Sequence, residues 1–121
     1  MNRWDAQFYF WASFGYPVYE SSDTRDKDKI TYPYITFDAV SAEINNNTIV
    51  QASVWTRSVL YNTAQAIADK IQQRIESGKT KIRYDGNRYF SYTADSNFIQ
   101  FMRDEDDEYI RRAILTMTIH W

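Results

Sequence analysis

A chain of 121 residues with 44% hydrophobic content is the size of one domain and can bury a real core. With 14 basic and 16 acidic residues the net charge is −2, so no overall pull towards nucleic acid exists. The lack of cysteine excludes disulfides and thiolate chemistry. No run reaches the roughly 20 apolar residues of a membrane helix, and the start carries no basic-then-apolar leader. No membrane partner is therefore expected, and an intracellular setting is. Ten Tyr and four Trp raise the aromatic share to 17%. Their apolar bodies and polar tips fit half-buried surface, as at subunit interfaces, and fit an aromatic-rich core equally well.

In chain order, Trp4, Phe8 and Trp11 recur at helical spacing behind Asn2, a good cap, which predicts a short N-terminal helix over residues 2–14. Gly15 stops it, Pro17 stiffens the exit, and Val18-Tyr19 fits a brief edge strand. The stretch from Glu20 to Lys29, running on to residue 32, is charged and almost free of apolar side chains. It reads as a solvated, mobile loop, and its alternating signs argue against a nucleic-acid tail. Pro33 then biases Tyr32 towards extended backbone. Tyr34–Ile44 and Thr48–Thr56 read as strands joined through an Asn45-Asn46-Asn47 turn, a hairpin. Asn46-Asn47-Thr48 is also a glycosylation sequon, but with no secretory leader the turn is the expected role.

From Ser58 to Gly78 the apolar residues Leu60, Ala64, Ile67, Ala68, Ile71 and Ile75 fall at steps of three and four. This spacing predicts a long central helix of roughly 18 residues, about 27 Å, with Ser58 or Asn62 as cap and Gly78 as stop. A second hairpin follows, Lys79–Tyr84 and Asn87–Thr93, turned by Asp85-Gly86, one of the strongest short-range hairpin signals. Phe98–Arg103 and Tyr109–Trp121 are further strands around an acidic loop, Asp104–Glu108. In the last strand Ala113, Leu115, Met117, Ile119 and Trp121 form a core face by alternation. The expected fold class is α+β: an antiparallel β-sheet of hairpins, with the long central helix and the short N-terminal helix packed on one face.

No chemistry-bearing constellation stands out. Asp104, Glu105, Asp106, Asp107 and Glu108 are contiguous and lack the spaced ligands and turning glycine of a calcium loop. His120 is the one histidine and has no evident partner. With three glycines, no phosphate-cradling loop, zinc spacing or nucleophile elbow exists. The expectation is no catalytic, cofactor or metal site, and no enzyme. Lys81, Arg83 and Arg88 among the tyrosines of the 79–93 hairpin suit single-stranded nucleic acid, or a hairpin that packs its aromatic face on a neighbour.

Laid out this way, the chain resembles the tail terminator (tail completion) proteins of long-tailed bacteriophages and prophages. The residues that carry the likeness are Gly15-Tyr16-Pro17-Val18-Tyr19, Tyr32-Pro33-Tyr34-Ile35-Thr36-Phe37, and Val50–Ser58 leading into the Ala/Ile helix. An acidic turn and a last strand with Arg111-Arg112 complete it. The resemblance implies a structural subunit of a hexameric ring that caps the tail tube, ends its polymerisation and later joins tail to head. Its implied partners are its own copies, the major tail tube protein and the head–tail connector protein, with DNA passing through without specific binding. Its implied location is the virion tail, and the host cytoplasm during assembly. Head–tail connectors share the size and the ring habit and are the alternative; a nucleic-acid-binding module using residues 79–93 is the third. The ring interface would then use Tyr34 and Phe37 at a sheet edge against Arg83, Tyr84, Arg88, Tyr89 and Tyr92 of the hairpin. On the same resemblance, residues 104–108 line the channel or a rim; an ordinary solvated turn is the competing account.

Overall fold

Alternation in the last strand sets out the whole sheet. Ala113, Leu115, Met117 and Ile119 are fully buried on one face, so this strand needs partners on both sides and finds them along most of its length. The computed structural model of the chain describes residues 2–21, 30–39, 47–78, 81–104 and 107–121. Among these, the elements are α1 (Arg3–Ala12), β1 (Val18–Glu20), β2 (Tyr34–Phe37), β3 (Thr48–Arg57), α2 (Asn62–Glu76), β4 (Ile82–Tyr84), β5 (Arg88–Arg103) and β6 (Ile110–His120). The six strands form one sheet in the order β1-β2-β3-β6-β5-β4, curled into a half-barrel.

This overturns the expected antiparallel sheet of hairpins organised by a long central helix. The sheet is mixed, because β1 pairs parallel with β2 in the register Val18↔Ile35. The segments expected as two strands, 87–93 and 98–103, are one strand of 16 residues. It passes through an irregularity between Ala94 and Ile99 and keeps β6 as partner on either side. Strand β2 ends at Phe37, and residues 40–46, which carried the rest of the expected strand and most of its turn, lie outside the described residues. Residues 22–29 of the expected mobile loop lie outside them too.

The central helix is short. It has 15 residues, about 22 Å, and starts at Asn62 rather than Ser58. The reason is local: residues 58–61 are tied to β6 and its approach. Ser58 N donates to the Tyr109 carbonyl at 2.6 Å, and Arg111 Nη2 donates to the Val59 carbonyl at 3.2 Å. Ser58 Oγ accepts from Leu60 N at 3.1 Å, a turn rather than a helix cap. Tyr61 sits at the cap position without a side-chain bond to the helix.

Helix α2 buries its apolar stripe, whereas α1 buries Ala6, Gln7, Phe10 and Trp11 and leaves Trp4 and Phe8 of the expected stripe exposed. Ala64, Ile67, Ala68, Ile71 and Ile75 of α2 are buried, and α2 packs on β3, β5 and β6. Each fully buried isoleucine of this kind stabilises by about 1.5–3 kcal/mol. Helix α1 is capped by Asn2, whose Oδ1 accepts from Asp5 N at 2.8 Å. It touches β1 and β4, the two outermost strands of the sheet. Its Trp11 stacks on Phe37 of β2 at 6.4 Å and meets Tyr92 of β5 at 5.7 Å, while Phe10 lies 4.9 Å from Tyr92. Part of the aromatic excess is thus a core that joins the two sides of the curled sheet.

Candidate assembly surfaces

Three places hold chemistry outside the main hydrophobic core. The first is the β4–β5 hairpin. Asp85 (φ 43°) and Gly86 (φ 82°) both take positive φ within a three-residue turn over 85–87. Pairing of Arg83 with Tyr89 and of Tyr84 with Arg88 follows. Lys81 Nζ lies 4.7 Å from the centre of the exposed Tyr89 ring. Arg83 folds back on its own turn, donating to the Gly86 carbonyl and, at 3.5 Å, to Asn87 Oδ1. Arg88 and Tyr89 are exposed.

The second place is the outer face of the sheet, where the strand register builds a ladder across four strands. Tyr19 of β1 meets Tyr34 of β2 at 5.9 Å, and Tyr34 stacks on Trp55 of β3 at 6.0 Å. The guanidinium of Arg112, on β6, lies 4.6 Å from the Trp55 ring centre. Polar ties hold the ladder in place: Trp55 Nε1 donates to Thr36 Oγ1 at 3.0 Å and Arg112 Nε to Ser53 Oγ at 2.9 Å. Burial pushes the Tyr34 hydroxyl well above the ordinary tyrosine range, and that of Tyr32, 5.2 Å away ring to ring, upward as well. Burial also lowers the pKa of Arg112, an effect that the charge of Asp38 opposes.

The third place is apolar and was not legible in the sequence. Val59, Leu60, Phe101, Met102 and Tyr109 are all more than two-fifths exposed, with Leu60 at 60%. They gather where β3 leaves the sheet, β5 ends and β6 begins, linked through Tyr61, which meets Phe101 at 5.4 Å. Leu60 read as part of the helix stripe because its spacing fits; the turn at Ser58 takes it off the helix. Beyond β4, the side of β5 away from β6 pairs with no strand among the described residues. Two grooves, of about 910 and 420 Å³, lie between α2 and residues 89–99.

Against this geometry the expected interface needs correction. Tyr34, Phe37, Tyr84 and Tyr92 are no more than 3% exposed and belong to the packing of a single subunit. Nor is the 34–37 strand a sheet edge, because β1 covers it. Only Arg83, Arg88 and Tyr89 of the seven stand on the surface.

In the acidic segment, Glu105 and Asp106 lie outside the described residues. The others serve the turn into β6. Asp104 Oδ1 accepts from Asp107 N at 3.3 Å, and Asp107 Oδ1 from Tyr109 N at 2.9 Å. Asp107 also pairs with Arg57 at 3.1 Å, and the Glu108 carbonyl accepts from Arg111. His120 Nε2 is 2.7 Å from Thr93 Oγ1. Among the described residues no group of three or more His, Cys, Asp or Glu could hold a metal ion, and no helix is long and apolar enough to cross a membrane. Compared with known proteins, the chain matches no protein-family model and no curated protein.

Proposed function

We propose that this protein is a structural subunit of phage or prophage tail assembly, forming a ring, a hexamer by resemblance, at the head-proximal end of the tail tube. There it ends tube polymerisation and takes part in joining tail to head. The major tail tube protein and the head–tail connector are its neighbours, and DNA passes through without specific binding. The observation that carries the reading is the ordered likeness from Gly15–Tyr19 through Tyr32–Phe37 and Val50–Ser58 to Arg111-Arg112. Supporting it, exposed apolar and aromatic side chains occur at both ends of β5, Tyr89 at one and Phe101 with Met102 at the other. Two different patches on one subunit are what a head-to-tail ring contact needs. Electron microscopy of particles made without the protein is the test. Overlong or headless tails support a terminator. Full heads without tails support a connector instead, and normal virions would sink both.

A further inference from the structure

The side of β5 away from β6, unpaired beyond β4 among the described residues, is the feature with the most specific demand on a partner. An unpaired strand edge presents rows of N–H and C=O groups that only another extended strand can satisfy in register. Protein edges are commonly blunted by charge, proline or a covering element. At the two outer strands that cover is α1, which touches both β1 and β4. Along β5, β4 pairs with residues 88–90 alone. From Phe98 to Met102 the strand reads Phe-Ile-Gln-Phe-Met, uncharged, β-prone and without proline. Gln100, Phe101 and Met102 are exposed.

We infer that this edge pairs with the same edge of a second copy, antiparallel about a twofold axis at Gln100, in the free protein. The segment is complementary to itself in that register. Ile99 and Phe101 lie opposite Leu115 and Ala113 of β6, on the core side of the sheet, and Gln100 lies opposite Ile114 on the other side. Pairing about Gln100 therefore sets Ile99 of one copy against Phe101 of the other on one face. It also sets the two Gln100 side chains together, each able to donate and accept an amide hydrogen bond. The only charged residue between Ser96 and Arg103 is Arg103 itself, and its counterpart falls in the irregular, uncharged stretch 96–98 before Ile99, so no like charges meet. A stable contact needs roughly 1,200–2,000 Å² in total, more than a short strand pair supplies. Phe101 and Met102, both exposed and on opposite faces of the strand, add side-chain contact to the pair. A twofold pair closes on itself, so this state is distinct from the proposed ring and does not rest on it.

The cysteine-free chain makes the test direct. Light scattering across a concentration series should give a species of twice the 14.4 kDa chain mass. A single Gln100→Cys substitution should cross-link to itself on mild oxidation, since directly opposed residues lie about 4.5–5.5 Å apart between Cα atoms. Gln65→Cys on the exposed side of α2 should not. Gln100→Lys and Gln100→Glu should each weaken the dimer by roughly tenfold or more, and mixing the two should restore it as a heterodimer. Gln100 is exposed, so unchanged circular dichroism should show that both variants fold. A wild type monomeric at every concentration overturns the inference, as does a dimer that Gln100→Lys leaves intact. Rings that assemble equally well from Gln100→Lys protein, with no twofold species in the wild type, overturn the pairing and leave the ring reading standing.

Discussion

Arg112 lies over Trp55, its guanidinium carbon 4.6 Å from the ring centre, while its Nε donates to Ser53 Oγ at 2.9 Å. The two contacts join β6 to β3 on the outer face, where no helix among the described residues covers the sheet. Burial works against the charge, so the net worth of the pair sits at the low end for a desolvated cation–π contact.

Arg112→Ala should therefore lower stability by about 1–2 kcal/mol, seen as a fall of about 3–8 °C in the thermal midpoint. Arg112→Lys should recover little, because an ammonium cannot lie flat on the indole and reach Ser53 in the same pose. A lysine variant as stable as wild type would show that charge alone, not the planar fork, matters there.

Alkaline pH should unfold the protein. Burial holds the hydroxyls of Tyr34 and Tyr92 above their ordinary value of 10.0. Below pH 10 both folded and unfolded chains keep those protons, and the contribution to stability is fully present. Above it the unfolded chain releases them and the folded chain does not, so stability falls as pH rises. Tyrosinate absorbance should show these residues titrating together with loss of structure rather than before it. Tyr92→Phe should flatten the decline above pH 10; an unchanged slope would contradict the assignment.

Ile71 is fully buried on α2 and faces the sheet. Ile71→Ala should cost about 2–5 kcal/mol, while Ile71→Val should cost about 0.5–1.5. Denaturant titration with an unchanged slope would place the loss in the folded packing rather than in the unfolded chain. A loss under 1 kcal/mol for the alanine would mean that α2 is not part of the cooperative core.

Gly86→Ala should loosen the β4–β5 hairpin by about 1 kcal/mol, because φ of 82° suits glycine and strains a residue with a Cβ. Amide exchange at Ile82 and Tyr84 should quicken while that of β6 stays slow. Equal quickening throughout would mean that the hairpin opens only with the whole domain.

Much of the local structure was written in the chain. The stripe Ala64, Ile67, Ala68, Ile71 and Ile75 is buried as its spacing demands, and Asp85-Gly86 turns the hairpin. What escaped depends on contacts between distant segments. The parallel pairing of β1 with β2 spans the charged stretch between them, where no periodicity carries the register. Tyr84 and Tyr92 read as surface aromatics because the residues that bury them come from elsewhere: Trp121 lies 5.8 Å from Tyr84, and Phe10 4.9 Å from Tyr92. The apolar surface at Val59 and Leu60 was hidden for the opposite reason, since a helical repeat continued in sequence past the point where the helix begins.

The meeting of α1 with both outer strands has a mechanical consequence. Contacts run from β1 across β2, β3, β6 and β5 to β4, and α1 returns them to β1, so the fold is a hoop rather than an open ribbon. Pressure from inside a hoop is carried around its circumference as tension, shared by every link in turn. A sheet alone would flatten by peeling at a free end; this one must first tear the helix from one of its two anchorages, where Trp11 and Phe10 are seated among buried rings.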